Sequence, residues 1–208
     1  MKTLILVDIQ NDFIPGGALA VPAGDEVVEV ANRLIPWFDL VVATQDWHPA
    51  DHLSFASGHA GRSVGQVIQL RSVDQILWPD HCVQESTGAE FVQSLNLAKI
   101  DHVVQKGMAR EIDSYSGFFD NDGRRATGLD TILKENVATE LYVLGLATDY
   151  CVKFTVLDAI KLGYDVTLIS DGCRGVDLKP GDVVRAIEEM KTAGAKICRC
   201  DEVVAQFE

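Results

Sequence analysis

The segment Leu141–Lys153, which reads LYVLGLATDYCVK, indicates a β-strand, a tight turn and a helix in direct succession. Its first residues, Leu141–Leu144, are apolar and favour extended structure. Gly145–Thr148 interrupt that pattern, and apolar residues then recur at helical spacing. A strand followed at once by a helix is typical of α/β proteins with a parallel sheet. The segment therefore predicts an α/β fold and places Cys151 in the first turn of the helix.

The same alternation of strand and helix extends along the rest of the chain. Apolar runs predict strands at Thr3–Val7, Leu40–Thr44, Asp101–Gln105, Leu141–Leu144, Asp165–Ser170 and Lys196–Arg199. Helical patterns lie between them at Asp25–Phe38, Asp130–Glu135, Tyr150–Leu162 and Gly181–Ala193. Continuous apolar strands separated by helices are typical of a parallel sheet that is covered on both faces. We therefore predict a doubly wound α/β fold, with a mostly parallel six-stranded sheet and helices on both faces.

Length, charge and cysteine content narrow the class of protein. The 208 residues are 47% hydrophobic, so residues 1–208 are predicted to form one domain with a single core. A net charge of −13 argues against a nucleic-acid partner, because nonspecific binding to phosphates needs a basic face. No apolar stretch approaches the roughly 20 residues of a membrane span, so no membrane partner is expected. The five cysteines are irregularly spaced, as reduced thiols are, and this predicts a cytoplasmic location.

Cys151 is a candidate nucleophile because of its position where a helix begins. The first turn of a helix presents free N–H groups and a partial positive charge. Such surroundings lower the pKa of a thiol from about 8.5 toward neutrality and make the thiolate available. The same N–H groups can bind the oxyanion that forms when a thiolate attacks a carbonyl. For this segment taken alone, a buried structural cysteine is the alternative.

Reactive side chains follow the carboxyl ends of the first four predicted strands. These residues are Asp8, then Asp46 with His48, then Lys106, and finally the turn that leads into Cys151. In open parallel sheets, ligands bind in the crevice at this edge. A carboxylate and an ammonium beside a thiol make an activated nucleophile, with Asp8 accepting the proton and Lys106 holding the thiolate. Burial at the strand end would raise the pKa of Asp8, as a base requires.

Carboxylate and imidazole groups are concentrated in an irregular segment at about residues 45–100, and long loops of this kind are usually functional. Asp46, His48 and His52 lie close together in the sequence, and His81 follows in the motif WPDHC. These side chains suit one borderline divalent ion, with zinc as the first choice and manganese or iron as alternatives. The segment is therefore predicted to be a metal-binding insertion.

Five motifs together resemble a known family. They are DIQNDF at 8–13, TQDWH at 44–48, WPDHCV at 78–83, KG at 106–107 and GLATDYCV at 145–152. The set resembles the isochorismatase-like cysteine hydrolases, and the similarity runs over nearly the whole chain. Within that family, the DWH and WPDHC elements are similar to those of the nicotinamidases, also described as pyrazinamidases. The resemblance implies a metal-dependent amidohydrolase that converts nicotinamide to nicotinic acid and ammonia in NAD salvage.

The resemblance also implies roles for residues around the nucleophile. The triad would consist of Asp8 as the base, Lys106 as the group that stabilises the thiolate and Cys151 as the nucleophile. Backbone N–H groups of Ala147 and Cys151 would bind the oxyanion. A cis peptide bond is implied between Leu146 and Ala147.

The metal site and the substrate pocket are implied in the same way. The metal ligands would be Asp46, His48 and His81, with His52 as an additional candidate. The residues that hold the substrate would be Phe13, Trp78, Tyr115 and Ala147. Of these, Phe13 and Trp78 would sandwich a flat ring, with help from Tyr115.

Two other functions are compatible with parts of the sequence. One is a related hydrolase of the same fold that acts on another small amide or a carbamoyl substrate, although the metal set would then lack a purpose. The other is a noncatalytic, zinc-stabilised binding protein, whose metal site would be closed by four protein ligands. The sequence leaves open the metal, the turnover of analogues such as pyrazinamide, the role of residues 65–77 and the oligomeric state, a homo-oligomer being one alternative.

Overall fold

A central parallel sheet organises the chain in the computed structural model, which describes residues 1–207. The strands are β1 (Lys2–Val7), β2 (Leu40–Asp46), β3 (Val67–Leu70), β4 (Val73–Ile76), β5 (His102–Lys106), β6 (Glu140–Leu146), β7 (Asp165–Arg174) and β8 (Lys196–Cys198). Six of them form the sheet in the order β5-β2-β1-β6-β7-β8, and every neighbouring pair is parallel. The other two, β3 and β4, form a separate antiparallel hairpin.

The helices form two layers against this sheet. They are α1 (Val27–Leu34), α2 (Leu129–Glu135), α3 (Lys153–Lys161), α4 (Asp182–Ala193) and α5 (Cys200–Val204). Helices α1 and α5 contact each other and β7, and α3 contacts both α4 and β7. The predicted doubly wound fold is thereby confirmed. None of the helices between residues 1 and 207 is long and apolar enough to cross a lipid bilayer.

Apolar periodicity explains why these elements form. In β1 the residues from Thr3 to Val7 are all buried, as expected for a strand that is covered on both faces. Helix α1 buries Val27, Ala31 and Leu34 on one side, which is the spacing of an amphipathic helix. The helix predicted at Asp25–Phe38 is shorter than expected, because its two ends wind as separate 3₁₀ turns.

The helix after β6 does not begin as predicted. Residues Thr148–Val152 form a single π-helical turn, and α3 follows it. The Ala147 carbonyl accepts hydrogen bonds from the N–H groups of Tyr150 and Val152, at 3.0 and 3.1 Å. Cys151 therefore lies in a widened turn in front of α3. The peptide bond between Leu146 and Ala147 is cis, as the family resemblance implies.

Two short elements were not predicted. The β3–β4 hairpin lies within residues 65–77, a segment whose role the sequence pattern left open. The last strand ends at Cys198, and α5 begins two residues later at Cys200. The N–H of Arg199 donates to the Glu202 carboxylate at 2.6 Å, and this capping contact starts the helix.

Candidate active site

Strand register brings the predicted catalytic residues to one edge of the sheet. Val7 pairs with Thr44 of β2 and with Gly145 of β6, so Asp8 emerges between these two strands. Asp46 and Lys106 are directly paired at the ends of β2 and β5. Because parallel strands end at the same edge, these side chains converge in front of the π-helical turn.

Lys106 lies at the centre of this convergence and is 1% exposed. Its Nζ atom lies 2.9 Å from Asp8 Oδ2, 2.5 Å from Asp46 Oδ1 and 3.4 Å from Cys151 Sγ. It also donates to the Ser114 carbonyl at 2.8 Å. Burial alone would lower the pKa of Lys106, but Asp46 and then Asp8 raise it well above its usual value. Lys106 is therefore a fixed ammonium beside the thiol.

Asp8 has the properties of a base that works near neutral pH. Its side chain is fully buried, and Thr44 donates a hydrogen bond of 2.6 Å from Oγ1 to Asp8 Oδ1. Burial raises the pKa of Asp8 to about 6, although Lys106 opposes that rise. Asp8 also adopts a φ of 49°, which is uncommon for a residue other than glycine. The chain holds this carboxylate in place at the end of β1.

The pKa of the Cys151 thiol differs from the one expected at a helix N-terminus. Burial raises the pKa of its thiol well above the usual value, and Lys106 opposes the rise without cancelling it. Asp8 adds to the rise through its charge and a hydrogen bond. The prediction of a thiol pKa near neutrality is therefore wrong for the free protein. The thiol is therefore the resting form, and Cys151 could act as a nucleophile only if a neighbouring base took its proton.

Asp46, His48 and His81 direct three ligand atoms at one point. Asp46 Oδ2 lies 3.6 Å from His48 Nε2 and 3.9 Å from His81 Nε2. His48 Nδ1 lies 2.8 Å from the Gly107 carbonyl and His81 Nδ1 lies 2.8 Å from the Pro79 carbonyl, so each Nδ1–H donates and each Nε2 is left free for a ligand. Within residues 1–207, His48 Nε2 is buried without a hydrogen-bond partner. This donor set fits a divalent cation.

The charges around these three residues also favour a cation. Burial would raise the pKa of Asp46, but Lys106 and His48 hold it well below its usual range, so the carboxylate stays ionised. Burial opposes ionisation of His48, yet Asp46 raises the pKa of this imidazole to about 9. A proton on His48, beside the Asp46 carboxylate, is thus stabilised, and a metal ion would take the place of that proton.

His52 lies beside His48, with the two ring centroids 4.5 Å apart. Its Nδ1 lies 2.7 Å from Ser54 Oγ, and its Nε2 lies 3.2 Å from the Ile112 carbonyl. Burial lowers the pKa of His52, so this ring is neutral. Because both ring nitrogens already have partners, the structure favours a supporting role for His52 over direct ligation.

Gly107 explains why the sequence has glycine directly after Lys106. Its φ is 66°, and a Cβ at this position would lie 2.6 Å from His48 Nδ1. Any side chain would therefore displace the His48 ring. The same residue supplies the carbonyl that orients His48. Gly107 therefore leaves room for the His48 ring and also holds that ring through its backbone.

A small pocket opens in front of Cys151 and is lined mainly by apolar and aromatic side chains. The predicted residues Phe13, Trp78, Tyr115 and Ala147 all line it, together with Leu19, Asp113, Tyr150 and Val176. The Trp78 ring packs edge-on against Tyr150 at 4.9 Å, and Trp78 Nε1 donates to the Tyr115 hydroxyl at 3.0 Å. Such walls suit a flat aromatic ligand.

Two positioning side chains were missed at the sequence level. Gln10 Nε2 donates to the Asp46 carbonyl and Gln10 Oε1 accepts from the Asp46 N–H, both at 2.8 Å, so this side chain extends the pairing of β1 with β2. Asp149 accepts N–H groups from Val176 and Asp177 at 3.0 and 2.8 Å, which holds the Val176 loop over the pocket. Gln10 lies within the motif DIQNDF, but neither contact leaves a periodic signal in the sequence.

Residues 2–202 match the isochorismatase domain family. The chain belongs to this family. The nicotinamidase of Escherichia coli (strain K12) is 54% identical over 200 residues, which cover 94% of this chain and 93% of that relative. The family resemblance predicted from the five motifs is therefore confirmed.

Solved structures of isochorismatase relatives superpose closely on the chain. The structure described as Acinetobacter baumanii nicotinamidase pyrazinamidease gives a TM-score of 0.94 at 41% identity and covers 97% of both chains. The yeast nicotinamidase bound to the inhibitor nicotinaldehyde gives 0.91 at 32% identity, covering 96% of this chain and 100% of that one. The pyrazinamidase of Pyrococcus horikoshii in complex with zinc gives 0.78 at 40% identity, covering 95% and 98%.

Proposed function

We propose that the chain is a metal-dependent amidohydrolase that converts nicotinamide to nicotinic acid and ammonia through a thioester on Cys151. The observation that carries this proposal is the position of Lys106 Nζ, which contacts Asp8, Asp46 and Cys151 beside an aromatic pocket. The nicotinamidase relatives of the family support the choice of substrate.

Attack on the amide needs a thiolate that the free protein does not hold. As Cys151 Sγ approaches the carboxamide carbon, Asp8 takes the thiol proton and the S–C bond forms. Before that bond is complete, Lys106 stabilises the negative charge that develops on the sulfur as the proton leaves, because its ammonium lies 3.4 Å from the sulfur. A base with a pKa of about 6 can accept this proton at neutral pH and return it in the next step.

Collapse of the tetrahedral intermediate breaks the C–N bond. Backbone N–H groups of Ala147 and Cys151 are proposed to bind the oxyanion, and losing one such donor typically costs about 2.7–4 kcal/mol. Asp8 gives its proton to the leaving nitrogen, which departs as ammonia. Water then hydrolyses the thioester, with Asp8 as the base, and nicotinic acid is released.

We assign the metal to Asp46, His48 and His81, with His52 as a neighbour that supports His48. Zinc is the first choice, since a zinc complex of a family relative is known, and manganese or iron are alternatives. When bound, a divalent ion supplies a Lewis-acid position that can hold the ring nitrogen of the substrate. Phe13, Trp78 and Tyr115 are proposed to enclose the ring.

The sequence also supports proposals for the domain organisation, the location and the partners of the protein. Residues 1–208 are inferred to form a single hydrolase domain, with the metal-binding insertion at about 45–100 as a long functional segment. A cytoplasmic location is proposed, and the pattern of free cysteines supports it. Nicotinamide is the proposed small-molecule partner, and a homo-oligomer is one alternative for the oligomeric state.

The most direct test of this function is ammonia release from nicotinamide by the purified protein. We expect turnover by the metal-loaded protein, loss of turnover after treatment with a chelator and recovery when zinc is added back. Folded, metal-loaded protein that releases no ammonia from nicotinamide would contradict the proposal. Turnover of a carbamoyl substrate in its place would favour the related-hydrolase alternative.

Replacing His81 by alanine should remove the metal and raise KM for nicotinamide strongly. Metal content by elemental analysis reports the first effect, and steady-state kinetics report the second. His52→Ala should have a smaller effect, a loss of about 10–100-fold in metal affinity or activity, which is typical for residues that support a metal ligand. His102→Ala is a matched control, because this histidine is exposed at the start of β5.

Benzamide has no ring nitrogen, so its turnover at the nicotinamide rate would show that the metal does not orient the substrate.

The pH profile should report Asp8. Below its pKa of about 6, Asp8 is protonated and cannot accept the thiol proton, so kcat/KM should fall about tenfold per pH unit. The folded pKa lies above the ordinary value of 3.8, so protonation of this carboxyl between pH 6 and 4 favours the folded state. Activity should therefore be lost before circular dichroism shows unfolding.

Thr44→Val provides the matched variant for this profile. The Thr44 hydroxyl donates to Asp8 and lowers its pKa, so removing the hydroxyl should move the acid limb to higher pH. A wild-type profile that stays flat down to pH 5 would show that Asp8 is not the titrating base.

A further inference from the structure

The β3–β4 hairpin carries one buried polar side chain that points away from solvent. Val67 on β3 is 55% exposed, and Asp74 on β4 is also exposed, as expected for a hairpin that projects from the sheet. Gln75, next to Asp74, is only 1% exposed. The hairpin therefore delivers one amide into the interior, and its surroundings show what the hairpin does.

Gln75 contacts the residues that form one side of the substrate pocket. Its Nε2 atom lies 3.1 Å from Asp113 Oδ2 and 3.1 Å from the Tyr115 hydroxyl. The same Nε2 lies 2.8 Å from the Ile76 carbonyl, so three acceptors share the two hydrogens of the amide. Trp78 Nε1 donates to the same Tyr115 hydroxyl at 3.0 Å. Gln75 thus joins the hairpin to the aromatic wall.

The choice of glutamine at this position favours a role in the pocket over a role in stability. Gln75 Oε1 is buried and has no hydrogen-bond partner within the described part of the chain. An unpaired buried amide oxygen destabilises the folded state, and an apolar side chain of similar size would avoid that cost. Both side-chain partners of Nε2, Asp113 and Tyr115, line the pocket in front of Cys151.

We propose that Gln75 is a positioning residue for substrate binding, through the hydrogen bond that fixes Tyr115 against the ring of the substrate. This inference rests on the proposed function. Gln75 does not line the pocket itself, so it acts through Tyr115, and through Tyr115 on Trp78. The hairpin at residues 65–77 is then the element that holds one wall of the pocket.

Gln75→Met keeps the length of the side chain and removes its donors. We expect KM for nicotinamide to rise about tenfold, equivalent to about 1.4 kcal/mol, with kcat within about twofold of wild type. Gln69→Met is the matched control, because Gln69 is exposed on β3 of the same hairpin and should leave KM unchanged. A folded Gln75→Met variant with wild-type KM would overturn the inference, as would a fall in kcat at unchanged KM.

A double-mutant cycle tests the route through Tyr115. In a Tyr115→Phe background, Gln75→Met should raise KM by a clearly smaller factor, since the shared hydroxyl is already absent. Equal factors in both backgrounds would overturn the inference. If Gln75→Met fails to fold, Gln75→Glu is the alternative variant. At pH 8 it places a carboxylate against Asp113, and KM should rise by more than the tenfold expected for Gln75→Met. Wild-type KM in that variant would likewise overturn the inference.

A spectroscopic measurement separates this inference from the proposed function. The indole N–H resonance of Trp78, assigned with Trp78→Phe, should shift in Gln75→Met and stay unchanged in Gln69→Met. This signal needs no substrate, so it reports the positioning even if nicotinamide is not hydrolysed. Absence of ammonia release by wild type would contradict the function, whereas an unchanged Trp78 resonance in Gln75→Met would contradict only the inference.

Discussion

Replacing Cys151 by alanine should abolish hydrolysis of nicotinamide while the protein stays folded. In the proposed mechanism the Cys151 sulfur is the attacking group, and Asp8 and Lys106 both act on it. Loss of the nucleophile from a comparable triad lowers kcat by on the order of 10⁶-fold. Ammonia release measures the effect, and circular dichroism with thermal unfolding confirms the fold.

Cys173→Ala is the control for Cys151→Ala. Both thiols are buried to the same extent, at 6% exposure, but Cys173 lies on β7 and has no part in the triad. The control should lose some stability through packing and keep its turnover. Near-normal ammonia release by Cys151→Ala would refute the assignment of the nucleophile.

Lys106→Met should cost both activity and stability. The variant would leave the carboxylates of Asp8 and Asp46 buried without their ammonium partner, and breaking a buried ion pair in this way typically costs about 3–5 kcal/mol. The thiolate of Cys151 would lose its stabilising charge, so the pH at which iodoacetamide alkylates it should rise by at least about one unit. Urea unfolding and alkylation rates as a function of pH measure the two effects.

Two further variants make the Lys106 result specific. Lys99→Met removes an exposed ammonium just before β5 and should change neither property. Adding Asp46→Asn to Lys106→Met removes one of the unpaired carboxylates, so it should restore part of the stability without restoring turnover. An unchanged alkylation profile in Lys106→Met would mean that this ammonium does not act on the thiol.

The sheet and its reactive edge could be predicted because both depend on local patterns in the amino-acid sequence. Apolar runs mark the strands β1, β2 and β6, and polar residues follow these runs at one edge of the sheet. Parallel strands end together, so Asp8 and Lys106 had to lie near each other once the sheet was known. Their roles as base and thiolate stabiliser remain predictions for the variants to test.

Properties that depend on tertiary surroundings could not be predicted in this way. The position of Cys151 at the start of a helix suggested a lowered thiol pKa, but burial dominates and raises it. The hairpin strands β3 and β4 are four residues each and bury only Leu70 and Gln75, so they carry little hydrophobic pattern. The contacts of Gln10 and Gln75 join residues that are distant in the sequence, and no local signal reports such pairs.

Cleavage of the amide is proposed to pass through a thioester on Cys151. Acid quenching of the wild type during steady-state turnover, followed by mass spectrometry of its peptides, tests this directly. We expect a nicotinoyl group on the peptide that contains Cys151, removable by hydroxylamine and absent from Cys151→Ala. A nicotinoyl group on any other side chain, or nicotinic acid formed at the wild-type rate by Cys151→Ala, would contradict it.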